Sequence, residues 1–523
     1  MTRISAEFRH AMHWAHSWLG VVLGIIMFAV FWMGTLTIFA PEIDQWMIPE
    51  TRIVHQERDI SYDRLLAELP PEARASAYIN FVVPTERHPA IGFFYQGADG
   101  TFHDSALDPA TGQPLEMTDS LAASGFFYPF HLSLMIEWQN LGNWIVGLAA
   151  LAMLILLVSG LFIHRKIIAE FFVFRPHRKA RRATLDLHNL SSLIGLPFYF
   201  LMPLSGLLIF AFLYLPWGIG EAFDGDMDAA YAEMSGDYAA PERSGRPAPL
   251  ASVDAMKREA EALWSAEEGV PVKTNLVRVL NHGDETAVVY FRNTFPEDRV
   301  VLSEYVAVFD GASGRLIRNF SLPPLGEASA WIQGAHFVQF GHWPLRWLYF
   351  FGGLGGCVMI ATGMLFWLRS RESKLANTSL GYRVVEALTI GGVSGIVLAT
   401  AAFLVANRLL PSDAALAGID RAGLEVRVFW LMWLGTFLHA AVLRERAWGQ
   451  QCWAIAVSGM AAVILNAATT PHHIIAALSG GHWAVAITDI VLIAGAGLAL
   501  WAGLRLAQNA EPRSSDLKAL PAE

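Results

Sequence analysis

The sequence has 523 residues, of which 54% are hydrophobic and 16% are charged, and its formal net charge is −10. This composition is typical of an integral membrane protein, and the acidic balance excludes nucleic acid as a partner. The two cysteines, Cys357 and Cys452, lie in or beside apolar segments, and the sequence has no CxxCH motif. A disulfide framework and a covalently attached c-type haem are therefore excluded.

Eight apolar segments predict transmembrane helices. The first, residues 18–40, has 23 residues without a charge and is too long for a signal-peptide core. As a helix it would cover roughly 35 Å, enough to cross a bilayer core of about 30 Å. The last four spans form a predicted C-terminal membrane region, residues 384–505, followed by a tail of residues 506–523. The predicted spans after the first are residues 141–163, 190–217, 346–368, 387–407, 428–443, 453–468 and 483–504.

Basic residues predict how these spans are oriented. The loop after the second span, residues 164–189, holds seven Lys and Arg residues, and the short loops after the fourth and sixth spans are also basic. Because Lys and Arg concentrate in cytoplasmic loops, we expect these loops and both termini in the cytoplasm. The two long acid-rich loops, residues 41–140 and 218–345, are then periplasmic or extracellular.

The two long loops resemble each other. Asp108 to Gly112 and Asp310 to Gly314 share the motif D-x-x-[ST]-G, and the second copy follows the alternating strand pattern YVAVFD. Each glycine is expected to supply a positive φ at a turn between strands. The loops therefore predict two periplasmic domains that contain strands.

Histidines and glycines recur at matching distances in the first and third spans. His16 and His188, which begin these spans, are 172 residues apart. Gly34 and Gly206 each follow their histidine after 18 residues. The same order of a histidine followed by an apolar helix is thus present twice.

A second set of matching positions lies at the second and fourth spans, with a histidine before each span and a glycine near its end. His131 and His336 are 205 residues apart, and Gly160 and Gly363 are 203 residues apart. The first four spans are therefore predicted to be two copies of one unit, which contains a histidine, a helix, a periplasmic domain, a second histidine and a second helix. A pseudo-twofold axis along the membrane normal would relate the copies.

This repeat predicts which histidines pair. His16 and His188 would face each other on the cytoplasmic side, and His131 and His336 would do so on the periplasmic side. Two opposed neutral imidazoles are what bis-histidine ligation of haem b requires, so two haem sites would be stacked across the membrane. Structural pairing of the histidines is the alternative.

Four further residues are candidates for the sites. His164 has no repeat partner and is a rival ligand at the cytoplasmic site, and His13, one turn before His16, is a second rival. His342 is predicted to lie at the rim of the periplasmic site or in a substrate site. Asp489 lies within the last span, where an ionisable group is costly unless paired; alternatively, that helix begins later and Asp489 lies among the headgroups.

Several segments of this region resemble the PepSY-associated transmembrane family. They are HSWLG in the first span, LHN…GLPF in the third, YPFHLSL and GAHFVQFG before the second and fourth, and the two D-x-x-[ST]-G turns. The resemblance covers residues 8–373. It implies an α-helical integral membrane protein with two periplasmic α+β PepSY-like domains. Family members are similar to iron-regulated inner-membrane proteins, among them ferric-siderophore reductases that carry haem b.

The resemblance also implies a function for the paired histidines. It implies that four histidines ligate haem, namely His16, His131, His188 and His336. It also implies that electrons pass through the membrane to a periplasmic ferric siderophore or other ferric chelate. No GxGxxG or GxxxxGK[ST] motif accompanies a strand, so the expected electron donor is membrane quinol or a separate cytoplasmic reductase. The alternative is a non-redox protein, either a transporter or a sensor whose periplasmic domains bind a ligand or peptide.

Overall fold

The chain divides into two compact units. The helical unit comprises Met1–Pro49, Thr118–Pro203 and Phe351–Glu523, and the sheet unit comprises Glu50–Met117 and Leu204–Phe350. The computed structural model describes residues 5–56, 59–97, 99–163, 174–175, 180–226, 241–293, 299–302, 305–376 and 378–510.

Helices make up most of the described chain. In chain order, those of four or more residues are α1 (Ala6–Thr37), α2 (Ala40–Met47), α3 (Tyr62–Glu68), α4 (Pro71–Ala75), α5 (Ala122–Ser133), α6 (Leu141–Ile163), α7 (Ala180–Ile194), α8 (Leu196–Ile209), α9 (Ala211–Tyr214), α10 (Pro216–Ala222), α11 (Val253–Glu268), α12 (Pro324–Phe337), α13 (Trp343–Leu375), α14 (Leu380–Ile390), α15 (Ile396–Leu409), α16 (Arg421–Leu443), α17 (Arg446–Thr469), α18 (Ile474–Ser479) and α19 (Trp483–Ala510). A π-helical turn, Gly391–Gly395, joins α14 to α15.

Seven helices of the described residues are long and apolar enough to cross a membrane. They are α1, α6, α13, the continuous α14–α15 helix, α16, α17 and α19. The first of them begins at Ala6, twelve residues before the predicted start, because the Ser5 hydroxyl caps it by accepting a hydrogen bond from the Phe8 N–H at 3.1 Å. The described chain therefore fits a multi-pass membrane protein, as the sequence predicts.

The sixth predicted span, residues 428–443, is too short. The helix that contains it, α16, begins at Arg421, where Asp420 caps it by accepting a hydrogen bond from the Gly423 N–H at 2.8 Å. The first turns of α16 carry the charged residues Arg421 and Glu425, so they lie outside the charge-free segment. Both side chains are buried and form an ion pair with each other at 2.6 Å, so the helix can start earlier.

The third predicted span, residues 190–217, is not one straight helix. Its two parts, α7 and α8, are bent by 65° at a break that falls on Gly195. Pro197 explains the break, because it has no N–H and its ring collides with the carbonyl of Leu193 in a continuous helix. α7 starts at Ala180, inside the predicted loop 164–189, and α8 ends at Ile209. If this bent pair is one span, the described residues hold up to eight spans.

The sheet unit contains one antiparallel sheet that both long loops build. The strands are β1 (Tyr78–Val82), β2 (Ile91–Gln96), β3 (Phe102–Leu107), β4 (Leu276–Leu280), β5 (Val288–Asn293), β6 (Tyr305–Asp310) and β7 (Leu316–Phe320). Their order is β3-β2-β1-β4-β5-β6-β7, and β1 pairs with β4 from Tyr78 opposite Leu280 to Val82 opposite Leu276.

This sheet joins the two predicted domains, residues 41–140 and 218–345, through the pairing of β1 with β4. Strand edges with unpaired N–H and C=O groups tend to find a partner, and here the edge of β1 is covered by β4. One hydrophobic core follows, in which Phe81 of the first loop is buried with Trp264 and Phe291 of the second.

The first turns of α3 and α11 are tied together by reciprocal caps. The Ser61 hydroxyl donates to Asp254 at 2.6 Å, and the Ser252 hydroxyl donates to Asp63 at 2.6 Å. Each carboxylate also accepts the first backbone N–H of the opposite helix. The two loops thus place equivalent side chains in equivalent roles.

The two D-x-x-[ST]-G motifs form the predicted turns. Asp108 Oδ1 accepts from the backbone N–H two residues later at 2.6 Å, and Asp310 Oδ1 accepts from the N–H three residues later at 2.8 Å. Gly112 and Gly314 have φ angles of 74° and 72°. The prediction of a positive φ at each glycine is confirmed.

Candidate functional site

Two histidines of the helical unit face each other across α1 and α7. The ring centroids of His16 and His188 are 6.3 Å apart, and the ring planes are inclined by 79°. The Nδ1 atom of His16 is 3.1 Å from the carbonyl oxygen of Leu156, and that of His188 is 2.8 Å from the carbonyl oxygen of Met359. Each ring is therefore held by a hydrogen bond to a carbonyl of a neighbouring helix.

A glycine lies beneath each of these rings. A Cβ atom built on Gly160 would lie 3.4 Å from Cε1 of His16, and one built on Gly363 would lie 3.0 Å from Cε1 of His188. The accepting carbonyl belongs to the residue four positions before the glycine in both cases. The missing side chain lets the imidazole lie close to the helix and reach that carbonyl. We call each such arrangement a histidine cradle.

His131 occupies a third cradle in the helical unit. It lies on α5, and its Nδ1 is 2.8 Å from the carbonyl oxygen of Val30 on α1. A Cβ atom on Gly34, four residues after Val30, would lie only 2.6 Å from both Cε1 and Nδ1 of His131. No side chain fits at position 34 unless the histidine moves.

A fourth cradle holds His336 in the sheet unit. The hydroxyl oxygen of Ser205 is 2.8 Å from Nδ1 of His336, and a Cβ atom on Gly206 would lie 3.2 Å from Cε1. Ser159 occupies the matching position before Gly160, and its hydroxyl oxygen is 3.1 Å from Nδ1 of His16. All four histidines selected from the sequence thus lie against glycines of the repeat, but each contacts a glycine of another helix and not the one that the sequence analysis associated with it.

The cradles determine which nitrogen of the imidazole is available. A backbone carbonyl can only accept, so Nδ1 of His16, His131 and His188 carries the proton and donates it. The lone pair of the neutral ring is then on Nε2. This is the arrangement found in metal-binding histidines, whose other nitrogen is oriented by a carbonyl or carboxylate.

The other predicted histidines lie elsewhere. His13 is exposed on α1, one turn before His16, and His342 is exposed just before α13 in the sheet unit. His164 lies outside the described residues. His131 belongs to the helical unit and His336 to the sheet unit, so their pairing stays a prediction.

Asp489 is a fully buried residue of α19, which begins six residues earlier at Trp483. Its Oδ1 accepts from Trp46 Nε1 at 2.7 Å, and its Oδ2 accepts from Asn466 Nδ2 at 3.1 Å. The interpretation that places Asp489 among the headgroups, before the helix, is therefore wrong. Both carboxylate oxygens are engaged by donors of other helices, which is the pattern of a structural hydrogen-bond site.

The sequence analysis missed the partners of the histidines. In three cradles a hydroxyl residue precedes the glycine, as Ser159-Gly160, Ser205-Gly206 and Thr362-Gly363. These small dipeptides within apolar helices are a signal that could have identified the helix faces on which the histidines lie, because small residues allow close approach. The cradle at Gly34 lacks this signal, since Met33 precedes it.

The sheet unit contains a cavity of about 280 Å³ beside β2 and β3. Tyr95 and His103 stack there with ring centroids 4.7 Å apart. The carboxyl groups of Glu68 and Asp104 line the same cavity, and burial raises the pKa of Asp104 above its usual range. This combination of aromatic and acidic groups could hold a small ligand.

Comparisons with known proteins match the part of the chain that contains the cradles. The model of a family described as "PepSY-associated TM region" matches residues 13–370. The chain is 27% identical over 354 residues to an uncharacterized protein of Pseudomonas aeruginosa, PA4219, and the match covers 63% of this chain and 82% of that protein. All four cradle histidines fall within the family match, whereas the helices from α14 onward lie beyond it.

Proposed function

The chain belongs to the PepSY-associated TM region family, and on this premise we propose that it is a haem b oxidoreductase of the bacterial inner membrane. It would pass electrons from quinol or a separate reductase on the cytoplasmic side to a ferric siderophore or other ferric chelate in the periplasm. The observation that carries this proposal is the facing pair of His16 and His188, each with Nδ1 held by a backbone carbonyl.

The distance between these rings suits two axial ligands of one metal. With nitrogen–metal bonds of about 2.0–2.1 Å, two imidazoles on opposite sides of a metal place their centroids roughly 6 Å apart. The observed separation is 6.3 Å. Paired histidines alone suit haem, whose iron needs only axial ligands from the protein.

Equivalent contacts support two copies of one unit. Leu156 and Met359, whose carbonyls accept from the histidines, are 203 residues apart, the same spacing that separates Gly160 from Gly363. The reciprocal caps of the sheet unit use two Ser-x-Asp segments that are 191 residues apart. We infer from this duplication that His131 and His336 are equivalent positions and form the second, periplasmic ligand pair, within a pair of PepSY-like halves.

In this proposal the chain's own residues hold the ligands in place. The carbonyls of Val30, Leu156 and Met359 keep the proton on Nδ1 and thereby place the lone pair on Nε2. Bound haem would supply one-electron transfer. A ferric chelate that accepts one electron becomes Fe(II), which hard oxygen donors hold less tightly, so the metal becomes labile. Exposed His342 remains a candidate for the substrate side.

A second candidate function is ligand or peptide sensing, and the cavity of about 280 Å³ in the sheet unit favours it. A sensor of this kind would bind its ligand between the Tyr95–His103 stack and the carboxyl groups of Glu68 and Asp104. A transporter is the other non-redox alternative. Neither would need haem, so the two classes are easily separated.

The deciding experiment measures the haem-to-protein ratio of the purified full-length protein together with its reduced absorption spectrum. Two b-type haems per chain are expected. His16→Ala and His131→Ala should each remove one of them, whereas the matched surface control His342→Ala should keep both. Colourless protein that folds and elutes as a single species would overturn the redox proposal and leave the sensor or transporter.

A further inference from the structure

The helix that carries His131 is packed against the C-terminal helices. Phe126 and Phe130 of α5 are fully buried. The Phe126 ring centroid is 4.9 Å from that of Phe403 on α15 and 4.9 Å from that of Phe429 on α16. The Phe130 ring stacks on Trp430 of α16 at 5.5 Å. One side of α5 thus rests on helices that lie beyond the family match, while His131 reaches α1.

The start of α5 is bound to the same helices by a buried ionic group. The Ser120 hydroxyl donates to Glu425 Oε2 at 2.6 Å, while Arg421 and Asn407 donate to Glu425 Oε1 at 2.6 and 2.8 Å. Arg421 also donates to the carbonyl of Asp119 at 2.7 Å. Glu425 is completely buried. We call Ser120, Arg421, Glu425 and Asn407 the α5 latch.

A second connection reaches α5 through α2. Asp44 of α2 accepts from the backbone N–H groups of Ala123 and Ser124 at 2.7 and 2.9 Å, so it caps the first turn of α5. The next residue but one, Trp46, donates to Asp489 of α19 at 2.7 Å. The cap of α5 is therefore itself held by the last helix of the chain.

The backbone at both ends of α5 needs such support. Ala122 at its start has a φ angle of 52°, and Leu134 and Met135 just after its end have φ angles of 52° and 57°. Residues with side chains rarely adopt this conformation, and it persists only where surrounding contacts hold it. The Ser120 hydroxyl accepts from the Ala122 N–H at 3.0 Å, so the latch acts directly on the strained residue.

We propose that the C-terminal helices α14 to α19 are a positioning device for His131, with Glu425 and its partners in the α5 latch holding α5 so that the imidazole stays in the cradle at Gly34. The importance of His131 rests on the proposed function, but the mechanical role of the latch does not. Arg421, Glu425 and Ser120 are positioning residues in this scheme.

The test compares two buried Glu→Gln changes in the full-length protein. Glu425→Gln weakens the latch, and Glu386→Gln is the matched control, because Glu386 is also buried and bonds Arg444 at 2.8 Å near the other end of α16. Hydrogen exchange of residues 123–133 is the haem-independent measurement. We expect at least tenfold faster exchange in Glu425→Gln and no change in Glu386→Gln.

A spectroscopic measurement links the latch to the ligand. In a His188→Ala background, which retains only the His131-side haem, Glu425→Gln should shift the low-spin signal or the midpoint potential of that haem, and Glu386→Gln should not. If Glu425→Gln fails to fold, Ser120→Ala serves instead, because it removes the hydroxyl that bonds Glu425, Asn407 and the Ala122 N–H. Exchange in residues 123–133 identical to that of the control would overturn the proposal. Protein without haem but with faster exchange would refute the proposed function and uphold the latch.

Discussion

His16 and Asp489 are both polar residues of long apolar helices, but their hydrogen bonds differ in what they leave available. The Nδ1 atom of His16 bonds the Leu156 carbonyl and Ser159 hydroxyl, so the lone pair lies on its other nitrogen. Both carboxylate oxygens of Asp489 are taken up by Trp46 and Asn466. The histidine keeps a group for a ligand, and the aspartate does not.

This difference shows how to interpret ionisable groups within a membrane protein. Such groups are functional candidates by default because their burial is costly. Glu425 is another instance in which every carboxylate oxygen has a donor, and its partners include the cation of Arg421. A complete set of partners indicates a structural role, whereas a histidine whose Nδ1 is held by a carbonyl carries its lone pair on Nε2 and is a candidate ligand.

The largest expected effect separates candidate ligand residues from structural polar residues. His188→Ala should abolish the cytoplasmic-side haem, because His188 supplies the imidazole that faces His16, while Asp489→Asn should retain both haems. His164→Ala should leave bis-histidine low-spin character at that site. The measurement is the reduced spectrum with electron paramagnetic resonance. A switch to high spin in His164→Ala but not in His16→Ala would move the ligand to His164.

Loss of one site should also stop transmembrane electron flow. In vesicles of known orientation, the release of Fe(II) outside is followed with an impermeant chelator after quinol or a cytoplasmic donor is added. His131→Ala should abolish that release and still allow reduction of the cytoplasmic-side haem, since the roughly 30 Å core must be crossed in steps. Full release of Fe(II) outside by a variant that lacks one haem would contradict electron transfer through both haems.

Adding a side chain at the glycine of a histidine cradle should have the next largest effect. A Cβ atom on Gly34 would lie 2.6 Å from the His131 ring, so Gly34→Ala should displace the imidazole and destabilise the fold by about 1–3 kcal/mol, as overpacking does. Gly435→Ala is the matched control, because nothing lies within 4 Å of a Cβ atom there. Haem content and thermal unfolding in detergent are measured for both variants. Equal behaviour of the two would contradict the cradle at Gly34.

A change at Asp489 should affect stability but not the haem sites. Asp489→Asn replaces one acceptor by a donor that faces Trp46 or Asn466, which should cost about 1–3 kcal/mol. The melting temperature in detergent should fall by several degrees, with both haems still bound. A shift of the haem spectrum as large as that caused by Gly34→Ala would instead assign Asp489 to a haem site.

The smallest expected effect is a pH dependence that arises at Asp44. Burial, together with the nearby charge of Glu42, raises the pKa of Asp44 to about 6, although the N–H groups of Ala123 and Ser124 oppose this shift. A raised pKa means that the folded state binds the proton more tightly. The stabilisation is therefore fully present below about pH 4 and is lost as the pH rises through about 6.

Thermal unfolding between pH 4.5 and 7 tests this dependence. The melting temperature should decline by about 2 °C or more across this range, and Asp44→Asn should flatten the decline. A slope that persists in Asp44→Asn would assign the titration to another group.

Local sequence determined the membrane spans, the turns and the positions of the histidines. An apolar run without charges predicts a helix by length alone, and Gly112 and Gly314 adopt the positive φ that their turns require. Pro197 even explains the break of the third span, although the bend itself was not predicted. These features depend on neighbours within a few residues, so the sequence is sufficient for them.

The tertiary structure alone decided which groups meet. The carbonyl that holds His16 is 140 residues away, and the indole that bonds Asp489 is 443 residues away. The pairing of β1 with β4 joined two loops that the sequence treats as separate domains. Long-range hydrogen bonds of this kind leave no periodic signal in the chain, because each partner is chosen by the packing of whole helices and strands.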